Sequence, residues 1–158
     1  MEREAAQREL LRRYFTHFGP ATVRDAAYFF GWTQTQVKAL LKTVPVESFC
    51  TDSQIYYHLG SQLPGQDMPR CLFLAGFDQL MLGYEKTENS FLPREYLRSI
   101  FNLAGIVRPS ILVDGTVAGS WSLMDRKLMI SQFSDVDQSI LTDAAESLWP
   151  ELKQISFE

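Results

Sequence analysis

The chain has 158 residues, 46% hydrophobic and 22% charged, with a formal net charge of −4 at pH 7, which suits one globular domain or two small ones. Residues 1–60 hold seven Lys/Arg against six Asp/Glu, whereas the tail after Ile130 holds six acids against Lys153 alone, so wholesale affinity for polyanions is excluded and any such contact is expected in the first sixty residues. No apolar run is long enough to cross a bilayer, the acidic start MEREAAQREL is not a signal peptide, and Cys50 and Cys71 make neither a disulfide framework nor a CxxC pair, so a cytoplasmic setting without membrane contact is expected.

In chain order, EREAAQRELLRRYFTHFG predicts an amphipathic helix, with Ala6, Leu10, Tyr14 and Phe18 repeating at i+4 and Leu11 and Phe15 beside them. Gly19-Pro20 ends it. Thr22 then caps a short helix, VRDAAYFF, which has Asp25 in its first turn and stops at Gly31. TQTQVKALLKTV predicts a third helix, with Val37, Leu40, Leu41 and Val44 on one stripe. VPVESF and QIYYHL follow as two short strands around the turn CTDS.

GSQLPGQDMPR, with two prolines and two glycines, is expected to be a linker. Beyond it, CLFLAGF is a buried strand-like run, and REYLRSIFNLAG fits either a short helix or an irregular strand. PSILVDGTVAGSWSL contains two apolar strands around Asp114-Gly115, a dipeptide suited to a tight type I′ hairpin. RKLMISQF adds a strand. Ser134 or Asp135 is expected to start a last helix whose apolar face is Ile140, Leu141, Ala144, Leu148 and Trp149. The fold class expected is α+β. A winged helix at residues 1–60, three helices and a hairpin, is joined by a linker at 61–70 to a small β-rich domain at 71–158 closed by a helix.

Within GWTQTQV, Thr33 and Gln36 form the S/T-x-x-Q pattern of a capping box, which assigns Gln36 to the helix start. Residues 34 and 36 project about 200° apart on a helix, so the two glutamines do not converge on one substrate atom. Gln34 shares a face with Lys38 and Lys42, opposite the Val37/Leu40/Leu41 stripe. On a recognition helix that face enters the major groove of double-stranded DNA, with Gln34 and Thr35 at the reading end and the lysines on phosphates. An ordinary solvated face is the competing account. Arg24, beside Thr22, is a candidate backbone contact. His17 and His58 are isolated, so no metal or cofactor is expected. Asp78 and Asp114 read as turn residues, and Tyr84 and Trp121 as packing residues.

FLAGFDQLMLGY and RPSILVDGTVAGSW resemble motifs in the C-terminal part of winged-helix proteins of the AlkZ type, a family that includes DNA glycosylases able to unhook interstrand crosslinks. Phe77, Asp78, Leu82, Gly83 and Tyr84 match a pattern like F-D-x-x-L-L-G-Y. Val113, Asp114, Gly115, Val117, Gly119 and Trp121 match V-D-G-x-V-x-G-x-W. With LLRRYFTHFGPATVRDAAYFFGWTQTQV before them, the resemblance runs in order over most of residues 8–130. In the family the catalytic Gln, bulky apolar residue, and Gln or Asp lie in an upstream winged-helix unit. Gln34-Thr35-Gln36 imitates that triplet in a later helix-turn-helix, with Thr35 at the bulky position, so catalysis is not transferred to it. The resemblance implies a DNA-binding protein without a catalytic motif of its own. The alternatives are a protein–protein interaction module, or an accessory part of a repair glycosylase whose catalytic half lies elsewhere.

Overall fold

The computed structural model describes residues 3–60 and 68–158; residues 61–67, the greater part of the expected linker, lie outside the described residues. The described chain separates into two compact units. One contains residues 3–60 with Leu82–Glu85, the other residues 68–81 and 86–158.

In the first unit, α1 (Arg3–His17) buries Leu11, Tyr14 and Phe15. Leu10 is 46% exposed. The buried face is therefore turned from the expected Ala6/Leu10 row onto Leu11 and Phe15, because Tyr14 and Phe15 enter an aromatic cluster with Phe18, Phe29, Phe30 and Tyr57. Such edge and tilted pairs add to plain area burial. On the wet side, Arg12 and Arg13 both grip Glu9 at 2.8 Å, and these two guanidinium groups hold its carboxyl down at about 2.

The next two helices begin as their capping residues dictate. Helix α2 (Val23–Phe30) starts at Thr22 and stops at Gly31, whose φ of 65° is the left-handed conformation that glycine adopts without a Cβ clash. Helix α3 (Gln34–Leu41) buries Val37, Leu40 and Leu41. Trp32 stacks on Phe30 with ring centroids 4.3 Å apart, closing the α2–α3 turn. The hairpin is tighter than expected: β1 (Glu47–Thr51) pairs with β2 (Gln54–His58) around Asp52 and Ser53 alone, both at positive φ. That two-residue left-handed turn matches the twist of the strands. Backbone bonds between Ala21 and Tyr57 in both directions, and from Leu59 N–H to Phe15 O, tie β2 back to the helices.

The second unit is a five-stranded sheet in the order β3 (Cys71–Leu74), β4 (Ser110–Val113), β5 (Thr116–Met124), β6 (Lys127–Gln132) and β7 (Gln154–Phe157). Adjacent strands are antiparallel except β6 and β7, which are parallel. Asp114 and Gly115, at φ 50° and 82°, form the expected tight turn between β4 and β5. The register shifts at Ile111/Leu112, and Gly119 lies so close to β6 that a Cβ would sit 2.7 Å from Ser131 O. Glycine at the seventh place of VDGTVAG is thus a requirement of backbone approach.

Several expectations in this half are corrected. CLFLAGF is a strand only to Leu74; Phe77 turns to φ 58° and stands 53% exposed. REYLRSI, by contrast, takes the first of its two expected forms, a short helix: after α4 (Gln79–Leu82), a 3-10 turn (Arg94–Tyr96) leads into α5 (Leu97–Ile100). The last helix, α6 (Gln138–Leu148), starts at Asp137, not at Ser134 or Asp135, because the Asp137 carboxylate accepts the Ser139 N–H. That N-cap bond also depresses the Asp137 carboxyl. Leu148 leaves the apolar face and is 53% exposed, while Leu141 and Ala145 carry the burial. Finally, the helix does not close the domain: β7 follows it as an edge strand, unforeseen in the sequence.

Candidate nucleic-acid interface

Helix α3 is set by a complete capping box. Gln36 N–H donates to Thr33 Oγ1 at 3.2 Å, and Gln36 Oε1 accepts from Thr33 N–H at 2.9 Å. Gln36 is thereby occupied with the backbone. Gln34, Thr35, Lys38 and Lys42 are all exposed, and neither lysine forms an ion pair among the described residues.

At about 100° per residue, the buried Val37, Leu40 and Leu41 centre on one direction, and Thr35, Lys38, Ala39 and Lys42 surround the opposite one. Gln34 projects only about 20° from Leu41, so it stands at the rim of the outward arc, with Thr35 nearer its centre. The face offers two cations, one hydroxyl and one carboxamide within a single helix.

Arg24 is placed differently. Its guanidinium lies 3.2 Å from the Glu85 carboxylate, which is almost wholly buried. The arginine faces water on one side and neutralises an interior acid on the other. The hairpin adds no positive charge: between Thr43 and Gly60 there is no Lys or Arg, while Glu47 and Asp52 are exposed.

Glu85 belongs to a polar cluster that sequence reading missed. Asp25, 5% exposed, accepts from Thr22 N–H (2.8 Å), Thr22 Oγ1 (2.7 Å) and Glu85 N–H (2.9 Å). Tyr14 donates its hydroxyl to Gly83 O at 2.6 Å, and Tyr84 donates to Phe18 O at 3.0 Å. Burial, and then the negative charge of Asp25, pushes both phenols above the ordinary tyrosine range. Gly83 and Tyr84 of the LGY motif therefore fasten the tetrapeptide Leu82–Glu85 onto the helices of the first unit. With its acceptor positions occupied, Asp25 serves as a cap and anchor rather than as a free base. The one local hint was the T-x-x-D spacing of Thr22 and Asp25, a capping box with aspartate in the glutamate place.

Other candidates resolve into structure. Asp78 accepts the Leu80 N–H at 2.8 Å, and Asp114 pairs with Arg70 beside the hairpin turn. Trp121 donates its indole N–H to Leu74 O and packs with Phe73 and Trp149. Among the described residues no group of His, Cys, Asp or Glu is arranged to hold a metal ion, and no helix is long and apolar enough to cross a membrane.

Comparison with known proteins places this geometry in a lineage. A family model described as DNA glycosylase AlkZ-like matches residues 1–149. An interstrand DNA cross-link repair glycosylase of Streptomyces sahachiroi is 32% identical over 65 residues, covering 41% of this chain and 18% of that protein. The solved structure of Streptomyces sahachiroi DNA glycosylase AlkZ superposes with a TM-score of 0.80 at 17% identity, over 100% of this chain and 46% of that one. The fold is thus shared with AlkZ, and the chain spans less than half the length of the relatives it matches.

Proposed function

Given that the chain belongs to the AlkZ-like DNA glycosylase family, we propose that it is a winged-helix protein that docks on duplex DNA through α3, without a catalytic motif of its own. In this reading Ala21 and the β1–β2 hairpin complete the wing, and the protein acts in the cytoplasm, where DNA is accessible. The observation that carries the proposal is the outward arc of α3, where Thr35, Lys38 and Lys42 face away from the core with no carboxylate among the described residues bound to the lysines. Lysines at this spacing meet phosphates, and Thr35 and Gln34 reach base edges from the helix start. Arg24 adds a phosphate contact only to the extent that its pairing with Glu85 leaves donors directed outward.

The hairpin supports a second reading. Phe49 and Ile55 are 41% and 52% exposed on strands that carry no cation. An apolar, acidic wing of this kind suits a protein–protein interaction module. A third role is an accessory part of a repair glycosylase, with catalysis supplied by a region corresponding to the rest of the longer relative.

Titration of binding to duplex DNA against salt separates these readings. Docking through α3 gives a linear loss of log affinity with log salt, and the Lys38→Ala/Lys42→Ala double variant lowers the slope by about two. No binding at low salt, or an unchanged slope in the double variant, overturns docking through α3.

A further inference from the structure

In the second unit, Ile100 to Arg108 fold back as a small, closed loop. Arg108 N–H donates to Ile100 O at 2.9 Å, Phe101 and Val107 form a β-bridge, and Asn102 N–H donates to Ile106 O at 3.1 Å. Asn102 Oδ1 accepts the Ile106 N–H at 2.9 Å, and Gly105 turns the tip at φ 80°. Its backbone is therefore pinned from below, and what it presents is apolar. Leu103 is 88% exposed and Ile106 is 48% exposed.

Phe77, held outward in a left-handed conformation, joins this tip through its N–H bond to Val107 O at 3.1 Å. Backbone strain on a bulky residue persists where the surroundings enforce it, and here it directs an aromatic ring toward solvent. Gly76 permits the approach, since a Cβ there would meet Val107 O at 3.2 Å.

Along the loop's own stretch of chain the charge has one sign, although Asp78 follows Phe77 and its carboxylate accepts the Leu80 N–H. Between Glu95 and Asp114 the chain carries Arg98 and Arg108 and no acid, within a protein whose overall charge is −4. Neither arginine forms an ion pair among the described residues. Arg108 also lines a cleft of about 580 Å³ with Ser120, Ser122, Ser131 and Trp121, and none of the described residues lining it is acidic. Guanidinium and hydroxyl groups without a competing acid are the donor set that phosphates take.

We infer that the Asn102–Ile106 loop is a DNA wedge: Leu103 enters a base step of duplex DNA while Arg108 and the adjoining serines hold phosphates flanking the unstacked step. An aliphatic side chain on a rigid loop can unstack a step because its ordering is complete before binding, and the flanking cations offset the unstacking. This inference rests on the DNA-binding reading but uses residues of the second unit alone, none of them on α3.

The test uses the full chain with short duplexes carrying 2-aminopurine, whose fluorescence rises when it loses its stacking neighbours. Binding is followed separately by anisotropy. At saturation the wild-type protein raises 2-aminopurine fluorescence several-fold, and Leu103→Ala abolishes most of that rise while weakening binding by no more than about tenfold. Arg108→Ala keeps the several-fold rise at saturation but lowers the salt slope by about one. Because Leu103 is almost wholly solvent-exposed, its replacement leaves the fold intact. DNA binding with no fluorescence change, or with an equal change in Leu103→Ala, overturns the wedge and leaves docking through α3 standing. Absence of binding overturns both. Leu103-dependent binding to phospholipid vesicles without DNA unstacking overturns the wedge in favour of a lipid surface.

Discussion

Replacing Asp25 by Asn isolates the cluster that attaches residues 82–85 to the first unit. The carboxylate accepts from Thr22 N–H, the Thr22 hydroxyl and Glu85 N–H, and it is 5% exposed. An asparagine of the same shape keeps one acceptor oxygen but turns an NH₂ toward one of these donors. If the oxygen remains on Glu85 N–H, the NH₂ faces the Thr22 backbone N–H. If it flips, Glu85 N–H loses its partner. The Thr22 hydroxyl can rotate, so the unavoidable loss is one charge-assisted bond and one unpaired buried N–H. Each is worth about 1.5–3 kcal/mol, and because they overlap a net destabilisation of about 3 kcal/mol is expected. The Arg24–Glu85 pair loosens with it, since Glu85 is positioned by the same bond. Hydrogen exchange read amide by amide is the suitable assay, because two compact units need not unfold in one transition. Protection should fall for Ala26 and Ala27 in α2 and for Glu85, while the Leu112 and Ile130 amides in the sheet keep theirs. A change below about 1 kcal/mol in α2, with Glu85 protection unaltered, would refute the assignment of Asp25 as anchor.

Gly119→Ala places a methyl 2.7 Å from Ser131 O, a backbone atom that cannot rotate away; a loss of about 1–3 kcal/mol is expected, read from the urea midpoint of the sheet amides. Tyr14, whose phenol is raised by burial and by Asp25, makes the first unit sensitive to alkali. The raised value means that the neutral phenol is favoured in the fold, so its contribution is complete below the unfolded value near 10 and declines as pH rises beyond it. Tyr14→Phe should lose about 1 kcal/mol at neutral pH through the unpaired Gly83 carbonyl and show a flatter decline above pH 10. An identical alkaline slope in the variant would rule out the phenol as its source.

Elements governed by neighbours in sequence were legible, and those governed by distant partners were not. The Thr22 cap and the Thr33/Gln36 capping box define the starts of α2 and α3 within four residues of chain, and the structure reproduces both, adding that Asp25 completes a box with Thr22. Asp114-Gly115 likewise makes its turn from its own dihedral preferences. The VDG and LGY motifs identified the lineage, although neither disclosed its mechanical task. Gly119 is needed because β6 passes within contact distance, Gly83 because its carbonyl accepts the hydroxyl of Tyr14, 69 positions earlier, and Tyr84 because its hydroxyl donates to the carbonyl of Phe18, 66 positions earlier. Such requirements exist only once the chain is folded.

The remaining misreadings have the same origin. The buried face of α1 was decided by aromatic rings of α2 rather than by its own i+4 row. The final strand, QISF, is too short to announce itself and gains its definition from pairing in parallel with β6 across the α6 crossover. On the candidate interface, sequence alone identified α3 and its exposed Gln34, Thr35, Lys38 and Lys42. Tertiary structure decided that Arg24 is shared with a buried glutamate and that Leu103 stands bare on a rigid loop. Local hydrogen bonding and backbone preference are written residue by residue, whereas burial, ion pairing and exposure are properties of what the fold brings alongside.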